Sequence, residues 1–204
     1  MIDYERFRMT PLAREPFDHL VVSEFLAHSA LETVLSGFPA IEKGGSFPES
    51  ELSFGPGFAS LLDELRGPEL RAAVAEKFGI DLEGKATMVT VRGQARAKDG
   101  RIHTDTETKI VTVLLYLNRG WKDEGGRLRL LRSSASLDDY FAEIPPEAGT
   151  AVLFRCADNA WHGHTPYVGE RRALQLNWVT DESVVHHEER RHRFSARLKK
   201  WLPV

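Results

Sequence analysis

Hydrophobic residues recur at helical spacing in the first 80 residues of the chain and alternate in short runs after residue 86. In the first helical stretch, residues 16–35, Ser23 is the expected N-cap and Gly37 the expected end. Further helical patterns are predicted over residues 58–65 and 69–78, and the loop between the first and second stretches is rich in glycine and proline. We therefore expect residues 10–80 to supply supporting helices.

The second half of the chain carries β-type runs separated by glycine, proline and charged residues. The runs are residues 87–92, 109–117, 127–131, 150–154 and 172–179. Several short strands with turn residues between them are typical of a β-sandwich or barrel. The last stretch, residues 182–204, returns to helical spacing and predicts a C-terminal helix with a solvated basic face.

Composition narrows the class of protein. The chain has 204 residues, a formal charge of −3 and 42% hydrophobic residues, which fits one soluble domain and excludes disorder. The charge also argues against a protein that neutralises nucleic-acid phosphate. No apolar run is long enough for a signal peptide or a membrane span, so we expect a cytoplasmic protein with neither nucleic acid nor membrane as partner.

The single cysteine, Cys156, restricts the ligands that a metal could have. One thiol forms neither an internal disulfide nor a cysteine-rich zinc site, so a bound metal must be held by histidine and carboxylate. We expect Cys156 itself to be a small buried side chain and not a reactive thiol.

A histidine and an aspartate stand two residues apart in His103-Thr104-Asp105. In an extended backbone both side chains project from the same face, so they can share one metal ion. A second histidine from a distant strand would complete the two-histidine, one-carboxylate triad that binds non-haem Fe(II) and leaves coordination positions open. His162 and His164 both qualify, because alternation gives them the same face.

An arginine that enters the last β-run is a candidate to grip the distal carboxylate of a 2-oxo acid through two parallel hydrogen bonds. Two adjacent arginines compete for this role. Arg172 shares a face with Leu174, Leu176 and Trp178, which we expect to line the barrel interior. We therefore favour Arg172 over Arg171.

These motifs together resemble one enzyme family, the prolyl-hydroxylase-like Fe(II)/2-oxoglutarate dioxygenases. The resemblance covers about residues 86–180 and rests on elements that follow one another in the family's order. They are His103-Thr104-Asp105, Val111 to Asn118 (VTVLLYLN), Gly125 to Leu130 (GGRLRL), Gly149 to Phe154, and Trp161 to Pro166 (WHGHTP) ending in Arg172. For Lys109 the alternatives are the cavity mouth and a solvated strand end, and we favour the strand end.

The resemblance implies a role for individual positions. His103, Asp105 and His162 correspond to the iron ligands, since His162 has the family's proline spacing, and His164 is then expected to face the substrate cavity. Arg172 and Tyr116 correspond to the pair that binds the C5 carboxylate of 2-oxoglutarate. Leu114 and Leu128 fall where the family lines the co-substrate pocket. Arg92 stands where relatives often carry a tyrosine, which suggests a second cation near the co-substrate or an anchor for an acidic substrate.

The implied fold is mainly β with flanking helices, around a double-stranded β-helix (jelly roll, cupin-like) core at residues 86–180, in one domain spanning residues 1–204. The implied activity is hydroxylation of an unactivated C–H bond with Fe(II), 2-oxoglutarate and O2, ascorbate being a candidate reductant. The primary substrate is expected to be a peptidyl or prolyl side chain or a small metabolite. The alternatives are a cupin-like metal- or sugar-binding barrel without oxygenase activity, and an iron oxygenase that uses no 2-oxo acid.

Overall fold

A computed structural model describes residues 1–185 of the chain. Within these residues the named elements are four α-helices, one short 3-10 helix (Glu49–Glu51) and nine strands. The helices are α1 (Tyr4–Met9), α2 (His28–Ser36), α3 (Pro56–Arg66) and α4 (Pro68–Phe78). The strands are β1 (His19–Val22), β2 (Phe47–Pro48), β3 (Thr87–Ala95), β4 (Lys109–Tyr116), β5 (Leu128–Leu131), β6 (Tyr140–Ile144), β7 (Ala151–Arg155), β8 (His162–His164) and β9 (Gly169–Val179).

The strands form two antiparallel sheets. The larger sheet has the order β1-β7-β4-β9-β3-β2, and the smaller has the order β6-β5-β8. Along the chain, strands of the larger sheet (β3, β4, β7 and β9) alternate with strands of the smaller sheet (β5, β6 and β8). The chain therefore crosses between the sheets several times, and the two sheets close into the expected jelly roll. The crossovers bring residues that are far apart in sequence to the space between the sheets.

The two faces of the larger sheet have different chemistry. On the outer face, Leu174, Leu176 and Trp178 of β9 are fully buried against α3 and α4 in the main hydrophobic core. On the inner face, Ala173 packs in a second cluster with Tyr116. Burial of the helices therefore stabilises the outer face, and the inner face is left to line a cavity.

The helical predictions agree with the structure except at the first helix. Gly37 ends α2 as expected, but α2 begins at His28 and Ser23 lies in a turn. The expected N-cap was wrong because the apolar residues before it form β1, which pairs with β7. Sheet pairing thus overrides the local helical spacing.

All five predicted β-runs form strands, with ends that shift by up to three residues. The strands outside those runs are β1, β2, β6 and β8. Strand β8 consists of His162, Gly163 and His164 and has no apolar alternation to find. The predicted helix over residues 182–204 lies mostly outside the described residues, apart from residues 182–185, which are helical. Within residues 1–185 no helix has the length and hydropathy needed to cross a bilayer.

Candidate active site

Backbone pairing brings the His103-Thr104-Asp105 motif to β8. His103 and His162 exchange two backbone hydrogen bonds of 3.0 Å each, N–H to carbonyl in both directions. Their rings are 4.2 Å apart between centroids. One ligand atom from each of His103, Asp105 and His162 lies within 4.8 Å of the other two. This arrangement has the spacing that one metal ion requires.

Both histidines are oriented by their Nδ1 atoms. Nδ1 of His103 lies 2.8 Å from the carbonyl oxygen of Arg101, and Nδ1 of His162 lies 2.9 Å from that of Ala160. Since a carbonyl only accepts, each Nδ1 carries a proton, and Nε2 is the ring nitrogen that is left to face a metal. Burial, together with the charge of His103, lowers the pKa of His162 to about 4. At neutral pH His162 is therefore the neutral imidazole that a metal needs.

Asp105 is held from two sides. Nζ of Lys109 donates to Oδ1 at 2.7 Å, and the Thr112 hydroxyl donates to Oδ2 at 2.5 Å. Burial tends to raise the pKa of Asp105, but the charges of Lys109 and His162 and these two hydrogen bonds bring it below its usual value. The expectation that Lys109 is a solvated strand end was wrong, because its side chain is turned inward to this carboxylate.

Behind Asp105 a chain of hydrogen bonds runs along the inner face of the sheet. Nδ2 of Asn177 donates to the Thr112 hydroxyl oxygen at 2.7 Å, and Nε2 of Gln175 donates to Oδ1 of Asn177 at 3.1 Å. Cys156 lies beside this chain, with its Sγ 3.3 Å from the Thr112 hydroxyl. Burial and the charge of Asp105 raise the pKa of Cys156 to about 12, so the thiol is protonated and unreactive at neutral pH.

The two histidine ligand candidates open into a cavity of about 100 Å³ between the sheets. Besides Arg171, seven of the positions singled out in the sequence line it, and Asp105 lies at its metal end. The lining residues are Arg92, Gly100, His103, Leu114, Tyr116, Leu128, His162, Gly163, His164, Arg171, Ala173 and Gln175. His164 is thus in the cavity wall but does not join the three ligand candidates, which include His162.

The choice of Arg172 over Arg171 was wrong. Arg171 is 7% exposed and lines the cavity, whereas Arg172 points away from it, pairs with Glu170 at 3.0 Å and lies over the Phe38 ring. The prediction places the apolar face of β9 in the barrel interior. That face in fact packs on the helices, so the face with Ala173 and Gln175 carries the cavity arginine.

Arg171 is fixed at the end of the cavity next to Tyr116. Its Nε donates to the carbonyl oxygen of Gly126 at 2.7 Å, and its guanidinium carbon lies 5.3 Å from the centre of the Tyr116 ring. Gly126 has a φ of +73°, a conformation that disfavours other residues, so the glycine aims this carbonyl. Burial raises the pKa of the Tyr116 hydroxyl and the Arg171 charge opposes it.

The residues present fit a metal and a dicarboxylic co-substrate. Two imidazoles and one carboxylate are the donor set that suits non-haem Fe(II) and leaves positions open. The Tyr116 hydroxyl is fully buried and has no hydrogen-bond partner within residues 1–185. A buried hydroxyl in that state is costly unless a ligand completes it. A carboxylate between Tyr116 and Arg171 would do so.

Besides Arg171, four residues of the site were missed or misjudged in the sequence: Lys109, Thr112, Asn177 and Gln175. Thr112, Asn177 and Gln175 alternate with the outward-facing apolar residues of β4 and β9, and polar residues at alternate positions in otherwise buried strands were the available signal. The inward turn of Lys109 has no such signal, because it depends on where the preceding turn places Asp105.

The fold and the three clustered ligand candidates together define a double-stranded β-helix with a candidate metal site. Residues 92–180 match the family model of the 2OG-Fe(II) oxygenase superfamily. This match covers the strand-rich core of the chain, from the end of β3 to the end of β9.

Solved structures agree with this fold. A prolyl-4-hydroxylase from Pseudomonas putida superposes with a TM-score of 0.54 at 18% identity, covering 87% of this chain and 93% of the other. A prolyl 4-hydroxylase from Phytophthora capsici superposes with a TM-score of 0.59 at 19% identity, and the match covers 91% of this chain and 68% of the other. The viral collagen prolyl hydroxylase of Paramecium bursaria Chlorella virus-1, solved with 2OG, superposes with a TM-score of 0.54 at 14% identity. The match covers 79% of this chain and 96% of the other. No curated protein sequence matches this chain. At these identities the likeness establishes the fold and not the substrate.

Proposed function

We propose that this protein is an Fe(II)- and 2-oxoglutarate-dependent dioxygenase that hydroxylates an unactivated C–H bond. One observation carries the proposal. The cavity that begins at the clustered ligand atoms of His103, Asp105 and His162 ends at a buried arginine, Arg171, beside the unpartnered hydroxyl of Tyr116. A ligand that fits this cavity carries a metal-chelating group at one end and a carboxylate at the other. A 2-oxo dicarboxylic acid has both groups.

The residues of the chain divide the work of binding. His103, Asp105 and His162 would hold the metal, while Arg171 and Tyr116 would fix the distal carboxylate of 2-oxoglutarate by charge-assisted hydrogen bonds. Leu114 and Leu128 would flank the carbon chain of the co-substrate and exclude water. This division supports a role for the protein in positioning the reactants and for the metal in the bond-breaking chemistry.

When bound, Fe(II) supplies the redox chemistry that lets dioxygen oxidise 2-oxoglutarate to succinate and CO2 and insert its other oxygen atom into a C–H bond. The atoms balance, since one oxygen atom enters succinate and the second enters the hydroxylated product. The open coordination positions of a three-ligand site are what this reaction requires of the protein. The three ligand candidates meet that requirement without a fourth side chain.

The proposal is tested by adding Fe(II) and 2-oxoglutarate under argon and recording the visible charge-transfer band of the chelate, followed by O2 uptake and succinate formation. We expect the band and coupled succinate release in the wild-type protein, and loss of both in Asp105→Ala. The matched control is Asp99→Ala, which removes a neighbouring carboxylate that is bound to Arg96 and not part of the ligand cluster.

Iron binding without the band would favour the cupin-like barrel that lacks oxygenase activity. Oxygen uptake without succinate would favour an oxygenase that uses no 2-oxo acid. Full turnover in Asp105→Ala with unchanged metal content would overturn the ligand assignment. Ascorbate as reductant, a cytoplasmic location, a single domain over residues 1–204 and a peptidyl or small-molecule substrate stay predictions from the sequence.

A further inference from the structure

Arg92 is a second arginine in the cavity wall, separate from Arg171. It lies on β3 directly across from Ala173 of β9, which in turn pairs with Tyr116 of β4. Arg92 and Tyr116 are therefore in one cross-strand row, with the small Ala173 between them, and both line the cavity. The row places Arg92 two strands away from Tyr116, on the side of the cavity that Gly100 and His164 also line.

Arg92 pairs with β9 through its backbone, but its guanidinium forms no hydrogen bond or ion pair within residues 1–185. Asp99 is the carboxylate whose charge most favours it. Both oxygens of Asp99 are already taken by Arg96, through the backbone N–H, Nε and Nη2 at 2.9 to 3.2 Å. The next carboxylate, Asp105, is bound by Lys109 and Thr112. Each neighbouring acid is thus committed to another partner.

A guanidinium in this position requires an anion. Burial, with the charges of Arg171 and Arg96, lowers the pKa of Arg92, and the attraction of Asp99 opposes the shift. Arginine nevertheless stays protonated in proteins, so the group remains a cation in a largely desolvated wall. Such charges are found buried only when a partner compensates them.

The co-substrate does not supply that partner. Under the proposed function, Arg171 and Tyr116 would bind the distal carboxylate of 2-oxoglutarate, and the other end of the molecule would face the metal. Lys109 compensates Asp105. The positive charge of Arg92 therefore persists after the co-substrate has bound, and a second anion is needed.

We propose that Arg92 binds a carboxylate of the primary substrate, so that the enzyme hydroxylates a carboxylic acid. This inference rests on the proposed function and names its substrate class. The His164 side chain lies in the same wall, and its Nδ1 donates to the carbonyl oxygen of Thr165 at 2.8 Å. Its Nε2 is then an acceptor, so the carboxylate is bound by Arg92 and not by His164. The carboxylate belongs to a small acid or to an acidic group of a peptide, and the experiment separates the two.

The first experiment asks whether Arg92 serves the co-substrate. Titration of 2-oxoglutarate into the Fe(II) protein under argon, followed by the charge-transfer band, compares wild type with Arg92→Gln, Arg171→Gln and Arg101→Gln. We expect Arg92→Gln to change the Kd for 2-oxoglutarate by less than about threefold, and Arg171→Gln to raise it at least about tenfold. Arg101→Gln removes an exposed cation on the same segment and controls for general electrostatics. An Arg92→Gln effect as large as that of Arg171→Gln overturns the proposal, since Arg92 would then be a second co-substrate anchor.

The second experiment asks whether the protein distinguishes acids from amides. The probes are N-acetyl amino acids with their carboxamides, and amidated peptides that contain aspartate or asparagine at one position. Binding to the Mn(II)–2-oxoglutarate protein is followed by the shift in melting temperature, and turnover of the Fe(II) protein by stimulated succinate release. In one probe family we expect wild type and Arg101→Gln to prefer the acid over the matched amide at least about tenfold. Arg92→Gln should lose this preference, and Arg92→Lys should retain part of it.

The outcomes are distinct. A preference confined to the N-acetyl acids indicates a small-molecule substrate, and one confined to the aspartate peptides indicates a peptidyl substrate. Equal responses to acid and amide, or no response to either, overturn the proposal. Absence of the charge-transfer band in the wild type would instead defeat the proposed function. Arg92→Gln must also unfold in urea no more easily than wild type, because a group without a partner contributes no pairing energy; a large loss of stability would contradict the premise.

Discussion

Nζ of Lys109 lies 2.7 Å from Oδ1 of Asp105, and the two side chains are 15% and 6% exposed. The pair sits four residues apart across the turn that leads into β4. In the metal-free protein Lys109 is thus the counter-ion of a carboxylate that the fold places next to His162. A bound metal ion would add a second positive charge at the same carboxylate.

Lys109→Met is expected to destabilise the metal-free protein by about 3 kcal/mol, since removal of one partner leaves a buried charge uncompensated. Urea unfolding in EDTA measures this loss. Saturating Mn(II) should then raise the melting temperature of the variant more than that of the wild type, because the metal takes over the compensation. Lys109→Arg keeps the charge and serves as control. Equal stability of Lys109→Met and wild type in EDTA would contradict this account.

Thr112 links Asp105 to Asn177, so its hydroxyl both donates and accepts in the buried chain. Thr112→Val keeps the shape but leaves two polar groups without a partner, and we expect a loss of about 1–3 kcal/mol in unfolding free energy. Metal affinity, measured by Co(II) titration, should fall about 10–100-fold. Thr112→Ser should restore most of both. If valine and serine behave alike, the hydroxyl does not position Asp105.

The adjacent arginines of β9 offer a matched pair of variants. Arg171→Gln is expected to weaken 2-oxoglutarate binding about 10–100-fold, as loss of charge-assisted hydrogen bonds to a carboxylate costs about 1.5–3 kcal/mol. Arg172→Gln removes the half-exposed pair with Glu170, which contributes little, and the contact with the Phe38 ring, both of which lie away from the cavity. The Kd for 2-oxoglutarate under argon decides between them. A larger effect of Arg172→Gln would show that the two arginines have been assigned the wrong way round.

The sequence was sufficient to predict the fold and part of the candidate site where several motifs with suitable side chains follow one another in a fixed order. The histidine–aspartate motif, Tyr116 and the histidine before Pro166 could be placed in a jelly roll because each is a separate element in a fixed succession. The match of residues 92–180 to the oxygenase family model and the superposed solved structures agree with that fold. Roles of individual residues still await the experiments above.

Alternation alone does not predict which face of β9 lines the cavity. Alternation divides Arg171 from Arg172 correctly, but it does not say which face meets the helices and which meets the cavity. In this protein the more apolar face, with Leu174 and Trp178, is the outer one, because α3 and α4 bury it. Only the packing of the N-terminal helices on the sheet reveals that the polar face encloses the site.

The two buried cavity histidines should make the metal-free protein sensitive to mild acid. Burial lowers the pKa of His162 and of His164 to about 4, with the charges of His103 and Arg171 respectively acting in the same direction. An unfolded chain protonates these imidazoles near pH 6.5, so between about pH 6.5 and 4 the unfolded state binds more protons. The free energy of unfolding therefore falls as the pH falls through that window.

Urea unfolding in EDTA at about pH 7 and about pH 5 measures the effect, and we expect a loss of about 1–2 kcal/mol for each histidine. His164→Gln should lose less stability between the two pH values than the wild type, whereas His28→Gln, which removes an exposed imidazole, should lose as much. Asp105 does not contribute in this range, because its pKa lies below the usual carboxyl value and its stabilisation is lost only at lower pH. Equal stability at the two pH values, or an unchanged loss in His164→Gln, would show that the folded protein accommodates the protonated imidazoles.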